Sequence, residues 1–536
     1  MIPAAIFAQA DEHANHAHVG WVPEEILNRP APLRQGIGVY HEKVATSSAL
    51  AQNFYDQGVA YLHSYVWIEA ARSFHQALRG DPKMAMAYLG LSYAYSPMDY
   101  RAAREALQQA DSLSTAANDR ERRRIAIRRA QLDAMAAAGS AQGVPKLLAF
   151  RQEIDSALAA YPDDIELLLL RGHAEEPTPF GDGAGCIPSA IPYYQRALAV
   201  SPDNFAAHHF LAHCYENQGK FSDALEQARI YAQAAPQIPH AQHMYGHELR
   251  GVGRTDEAIQ YFVKADTLEN AYYQRENIAP SLDWHHAHNL SLLASAYQYE
   301  GRLHMAERYF AAERQLTPFT EYAEFNRKDW PEFFLNRGDF ARALAAAREM
   351  AASRSALSRA AGHSLAGIAL VALRRTPEAK AELAAAEMES SGLNRPDAAA
   401  VSPYLDLAKL AVLLAQGSLA DAPALVEHIT QYTRRATSAD SWSQGLFRVE
   451  VLSMIARQTN QWDIAGEMAD LMLAVDPYYG GSHYSKALVA EHRGERTGAA
   501  QEFEAAKMYW THADVDFPPM AAIKRIPLSS GAPKAE

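Results

Sequence analysis

The strongest constraint this sequence places on its fold is a pattern of small and aromatic residues that returns about every 34 residues. Gly58, Ala70, Phe74, Ala77 and Pro82 set it out first. Small residues at the first two of these positions let two helices approach, the aromatic ring fills the space between them, and proline ends the second helix. The frame returns with Ala212, Gly219, Ala224 and Pro236, then with Gly246, Gly253, Ala258, Phe262 and Ala265. Further units carry Gly301, Ala306, Phe310 and Pro318, then Gly338 and Ala343, and late in the chain Gly494, Ala499, Phe503 and Ala506. Such units are helical hairpins that bury their apolar faces only by stacking on one another.

This spacing is that of the tetratricopeptide repeat (TPR), and it predicts an all-α fold, a TPR-type helical-hairpin solenoid (superhelix). The expected layout has residues 1–10 as the remnant of a signal peptide and 11–48 as an extended N-terminal arm. A repeat array over 49–320 carries a histidine-rich groove, a second TPR-like array covers 321–520, and 521–536 form a tail. Two insertions interrupt the frame, Pro177 to Pro188 and about Asn270 to His286. Long connections inside a regular array are often functional. Residues 390–445 keep helical periodicity with weak repeat signatures.

Charge and cysteine content narrow the function. A net charge of −13 with no long Lys/Arg block disfavours a nucleic-acid partner. The two cysteines, Cys186 and Cys214, supply neither a disulfide framework nor a cysteine zinc site, so any metal must be held by His, Asp or Glu. The absence of an uninterrupted apolar run argues against a transmembrane segment. Ile2 to Ala10 ends in the small-x-small pattern Ala8-Gln9-Ala10, which reads as a truncated signal peptide and predicts a periplasmic or exported location.

In a TPR hairpin, positions 2, 5, 9 and 12 of the first helix face the concave groove because they recur three or four residues apart. Counted from Phe205, His209, His213 and Glu216 hold positions 5, 9 and 12; counted from Pro239, His240, His243 and His247 hold positions 2, 5 and 9. His288 takes position 2 of the following repeat, while His173 and Glu176 take positions 9 and 12 of the preceding one. His63 lies near the groove of the first repeat. A lone helical histidine is usually a hydrogen-bonded packing residue, but packing alone would scatter histidines over interface positions too. The cluster therefore predicts a transition-metal site built from His63, His173, His209, His213, His240, His243, His247 and His288, with Glu176 and Glu216 as candidate bases. All-imidazole sets suit copper, iron or zinc without choosing among them. His208, at position 4, is expected to be structural. His41-Glu42 in the arm and Asp283-Trp284-His285-His286 in the second insertion are placed to close the groove, and the His13-x-x-His16-x-His18 triplet reads as a mobile surface feature.

Four segments extend the argument: Leu62-His63-Ser-Tyr-Val-Trp-Ile-Glu69-Ala-Ala-Arg-Ser-Phe74, His209-Phe-Leu-Ala-His213-Cys-Tyr-Glu216, Pro239-His240-Ala-Gln-His243-Met-Tyr-Gly-His247 and His288-Asn289-Leu290. With them the chain resembles exported bacterial TPR proteins that share histidine-rich repeat motifs. The resemblance covers roughly the first 320 residues and implies a TPR fold with a shared histidine site; some relatives carry a further histidine where Ser291 stands here. It supplies no substrate. Three functions are therefore compatible with the sequence: a metal-dependent enzyme, either oxidoreductase or hydrolase; a non-catalytic scaffold binding a peptide or protein partner in the concave groove; and a metal storage or delivery protein.

Overall fold

The structure, a computed structural model, describes residues 22–318, 320–435 and 439–523. Ala8-Gln9-Ala10, the His13, His16 and His18 triplet and most of the tail lie outside the described residues. Every element among those described is a helix, and successive helices pair as antiparallel hairpins from Ala49–Leu62 with Trp67–Gly80 to Gly480–His492 with Arg496–Tyr509.

The repeat residues act as their chemistry dictates. Phe74 is fully buried; a Cβ added at Gly58 would lie 2.5 Å from its ring, and one at Gly90 would lie 2.4 Å from it. One aromatic ring thus fills the space left by two glycines on neighbouring helices. Gly246 and Phe262 repeat the arrangement at 2.8 Å. Gly219 and Gly253 close their hairpins at φ 68° and 78°, the left-handed backbone that glycine adopts without a steric cost.

The described chain divides into two compact units at Asn289 and Leu290, ahead of the residue-320 boundary expected from the repeat signatures. The first turns of the helix Trp284–Tyr299 pack His285 and His288 against the repeat before them, ring centroids 4.8 and 4.7 Å from His243.

In the first unit the described part of the arm, residues 22–48, is extended apart from a single turn, Glu24–Leu27. It is tied down by backbone and charge: Gly36 O accepts the N–H of Gln237 at 2.8 Å, Arg29 donates to Glu276 O at 2.8 Å, Arg34 pairs with Glu276, and Glu42 pairs with Arg124 and Arg120.

Two expectations change. Cys186 and Cys214 form a disulfide, Cα atoms 4.8 Å apart, which joins the first insertion to the helix Phe205–Glu216. The second insertion is mostly helix: Thr255–Glu276 runs on for about two turns past the repeat length and stops at Asn277, φ 50°, leaving residues 277–283 as the connection.

In the second unit, hairpins continue through the weak-signature region as long helices, Thr376–Ser391, Arg395–Gln416 and Ala422–Arg435. Arg395–Gln416 is long and apolar enough to cross a bilayer, but half of its apolar window is buried against its neighbours, as in a core helix of a repeat stack.

Candidate metal centre

Two helices carry five of the site histidines, and local sequence fixes where each helix begins. Asn204 caps Phe205–Glu216 by accepting the N–H of Ala207 at 2.8 Å, and Pro239 opens Pro239–Gly251 at the position where its missing N–H costs nothing. With the starts fixed, the i, i+3 and i+4 spacing turns the imidazoles to one face.

Two groups of three histidines form in the first unit. The ligand atoms of His209, His213 and His240 lie within 4.8 Å of one another, as do those of His243, His247 and His288. In the first group His209 Nε2 is 3.1 Å from His213 Nε2 and 3.0 Å from His240 Nε2. Its Nδ1–H donates to the His63 carbonyl at 2.7 Å, which leaves Nε2 as a bare lone pair. One lone pair accepts one good hydrogen bond, yet two ring nitrogens face it. A shared cation resolves this directly: two nitrogens bound about 2.0–2.1 Å from a tetrahedral ion stand about 3.3–3.4 Å apart, close to the spacing here.

The second group is held from outside in the same manner. His243 Nδ1–H donates to Asn289 Oδ1 at 2.8 Å, and the amide orientation is set by Asn289 Nδ2 donating to Phe262 O at 3.1 Å. The remaining nitrogen of His243, Nε2, is buried without a hydrogen-bond partner. His247 Nδ1 donates to Glu216 Oε1 at 3.3 Å. Glu216 Oε2 lies 4.0 Å from Nδ1 of His213, so one buried carboxylate touches both groups.

Burial keeps His209, His240 and His243 neutral and therefore competent as ligands. It pushes His209 down to about 3 and, with neighbouring histidines adding to the effect, His240 and His243 well below the usual imidazole range.

Other candidates are placed differently. His63 and His173 belong to neither group. The His63 ring turns away to Glu166, Nε2 to Oε1 2.8 Å, and contributes its backbone carbonyl to His209. His173 is half-buried and packs against Phe210, ring centroids 4.4 Å apart. Glu176 holds the first insertion: Oε1 accepts the N–H of Gly183 at 2.8 Å, and a Cβ at Gly185 would fall 2.7 Å from its carboxylate. Burial raises its carboxyl well above the usual range. His208 bonds to Gln227 and to Pro202 O, away from both groups.

Some site residues gave little sign in the sequence. Tyr65 is a non-glycine residue at φ 57°, a strained conformation costing about 1–3 kcal/mol. Its ring centroid lies 4.8 Å from His209 and 5.1 Å from His240. Glu269 accepts Nδ1 of His285 and, at 3.0 Å, Nδ1 of His286. Burial alone would raise the Glu269 carboxyl, but the two imidazoles outweigh it and hold it below the ordinary value. The Asp283 to His286 segment does close over the groups: the His285 ring centroid is 5.1 Å from His240 and 4.8 Å from His243.

Family models of the tetratricopeptide repeat match residues 184–246 and 239–272. No curated protein matches the chain. Solved structures similar to it include PilW, a widely conserved type IV pilus biogenesis factor, 19% identical, with 52% of this chain and 98% of PilW covered and a TM-score of 0.26. Others are the APC/C hetero-tetramer Cut9–Hcn1, 12% identical with 89% and 76% covered and a TM-score of 0.33, and the human IFIT1 dimer with m7Gppp-AAAA, 12% identical with 80% and 90% covered and a TM-score of 0.34. Residues 184–272, which hold five of the six grouped histidines, are tetratricopeptide repeats, and the chain is an all-helical repeat protein of the TPR type.

Proposed function

We propose that this chain is an exported TPR protein that binds transition-metal ions in two tri-histidine groups on adjacent repeats and uses them as a metalloenzyme. The observation that carries the reading is His209 Nε2, a bare buried lone pair facing two further imidazole nitrogens at 3.0 and 3.1 Å. Three protein nitrogens per group leave a fourth tetrahedral position for water or substrate, the pattern of reactive sites; closed structural sites fill all four. An ion bound there would act as a Lewis acid or redox centre, and copper, iron and zinc all suit imidazole. The residues around the groups orient the rings: the His63 carbonyl, Asn289 and Glu216 each hold one Nδ1–H and so direct the opposite nitrogen inward. The Cys186–Cys214 disulfide supports export, because such bonds persist in oxidising compartments.

TPR repeats as a class bind protein partners, and a groove that takes a peptide is the second reading. The burial of His209, His213, His240, His243 and His247 favours the metal, since a peptide contact needs accessible side chains.

Elemental analysis by mass spectrometry on untagged protein, purified without chelator, tests the proposal. Two equivalents of transition metal are expected, with one retained in His209→Ala and one in His243→Ala. Protein that is metal-free and takes up neither copper, iron nor zinc sinks the reading and leaves the peptide scaffold.

A further inference from the structure

The stretch of Thr255–Glu276 that runs past the repeat length carries Tyr272, Arg275 and Glu276 on one face, at i, i+3 and i+4. Glu276 gathers three guanidiniums. Its Oε1 accepts Nη2–H of Arg34 and, at 3.0 Å, Nε–H of Arg275, and its Oε2 lies 2.9 Å from Nη1 of Arg72. Arg72 also pairs with Glu69, which accepts the Tyr272 hydroxyl at 3.0 Å. Three guanidiniums thus meet two carboxylates and leave one positive charge in excess, in a chain whose net charge is −13.

This excess stands at a cavity of about 310 Å³, in the size range of small-molecule sites. Arg34 and Arg275 line it, and Tyr61, Tyr65, Tyr272 and Trp284 form its aromatic wall. Burial, with Glu69 adding to it, raises the Tyr61 hydroxyl above the ordinary phenol range, and Arg34 and Arg275 both oppose that rise, which puts the two guanidiniums in electrostatic reach of this wall residue. Arg34 is half-buried and Arg275 exposed, and each gives only one of its five N–H groups to Glu276. The two carboxyl groups on the lining are already engaged. Glu69 holds Arg72 and Tyr272, while Asp283 accepts the Tyr273 hydroxyl at 2.9 Å and the N–H of His285 at 3.1 Å. Burial and the nearby Glu269 also raise the Asp283 carboxyl, which disfavours its charged form.

One excess positive charge beside an aromatic wall matches a molecule with one negative charge and an aromatic body. A carboxylate meets paired guanidiniums through two coplanar oxygens, and its ring has tyrosine and indole faces to pack on. We infer that the cavity binds a small aromatic monocarboxylate, its carboxylate held by Arg34 and Arg275 and its ring against the tyrosines and Trp284. His240 of the first tri-histidine group lines the same cavity, so the ligand is held beside that group. The inference goes beyond the metal reading and does not depend on it.

The test is calorimetric titration of the full-length protein with benzoate and with benzamide, which share size, shape and ring and differ in charge. Benzoate is expected to bind about tenfold more tightly or better, and to lose that advantage as salt is raised. Arg275→Gln and Arg34→Gln should each weaken benzoate by about that factor and leave benzamide unchanged, and the benzamide affinity serves as the check that the cavity is intact. Equal binding of the two probes by the unmutated chain, or binding of neither, overturns the site. So does a preference for benzoate that persists in both arginine variants, because the carboxylate is then held elsewhere, a bound metal ion included. None of these outcomes alters the metal content of the protein, so the two proposals fail separately.

Discussion

Asn289 Oδ1 accepts the Nδ1–H of His243 at 2.8 Å, and this contact joins the repeat that carries His243 to the helix that carries His288. It aims the unpartnered Nε2 of His243 at the second group. Asn289→Leu keeps the volume and removes the acceptor. Metal affinity of the second group should fall about 10–100-fold, while the first group, whose His209 is held by the His63 carbonyl, keeps its ion. Competition against a chelator of known affinity, resolved into two binding steps, reads the difference; equal weakening of both steps would refute independent support of the groups.

The packing of the first repeats turns on Phe74, caught between Gly58 and Gly90. Gly90→Ala places a methyl 2.4 Å from the ring, and the ring is fully buried with no open side to move into. Overpacking of this kind costs about 1–3 kcal/mol. Phe74→Ala leaves a cavity and costs about 3–5 kcal/mol. The two should not add: Gly90→Ala in a Phe74→Leu background should be much milder than alone, because the clash is with the ring itself. Urea unfolding of Gly90→Ala, Phe74→Ala, Phe74→Leu and the Gly90→Ala, Phe74→Leu double variant checks this.

How far the sequence reached can be argued from these same residues. Gly58, Phe74, Gly246 and Phe262 were legible because helix contact recurs at a fixed spacing and needs a fixed residue size. The groove positions of His209, His213, His240, His243, His247 and His288 were legible for a related reason, since the period places them on one helix face. What the period does not carry is rotation of a side chain about its own bonds. His63 sits near the groove but turns its ring to Glu166, and Glu176 is drawn into a loop by the N–H of Gly183; both outcomes depend on partners supplied by distant segments. The Cys186–Cys214 bond was hidden in the same way, because it needs the insertion to fold back on the helix Phe205–Glu216. Tyr65, in left-handed backbone beside His209, leaves no mark in a repeat pattern at all.

That disulfide closes a loop between cysteines 28 residues apart, and Cys214 follows His213 directly in the helix of the first group. On the chain-entropy account a loop of this length contributes about 3–4 kcal/mol. Replacing both cysteines by serine should lower the stability of the first unit by that order. It should also speed metal loss from the first group more than from the second. Unfolding in urea with and without reductant measures the first effect, and metal release to a chelator over time measures the second. A variant as stable as the parent would show that the bond constrains nothing in the unfolded chain.

The second unit contains a titration that should be visible in stability. Burial raises the Glu332 carboxyl to about 7, with Asp329 adding to the rise and Arg448, 3.4 Å away, opposing it. In the unfolded chain the same group titrates near 4.3. Between these values the folded state binds the proton and the unfolded state does not, so stability falls as pH rises through that window and levels off above the folded value. The contribution present at pH 4 is lost by about pH 7.5, roughly 3 kcal/mol in all. Glu332→Gln carries no proton to lose. Its urea midpoint should match the parent at low pH and exceed it increasingly from about pH 4.5 to 7, with a constant gap beyond. Glu313, raised to about 7 by burial and Asp329, titrates in the same window and remains in both proteins, so the difference curve isolates Glu332. A gap that is already full at pH 4, or that closes as pH rises, would contradict the assignment.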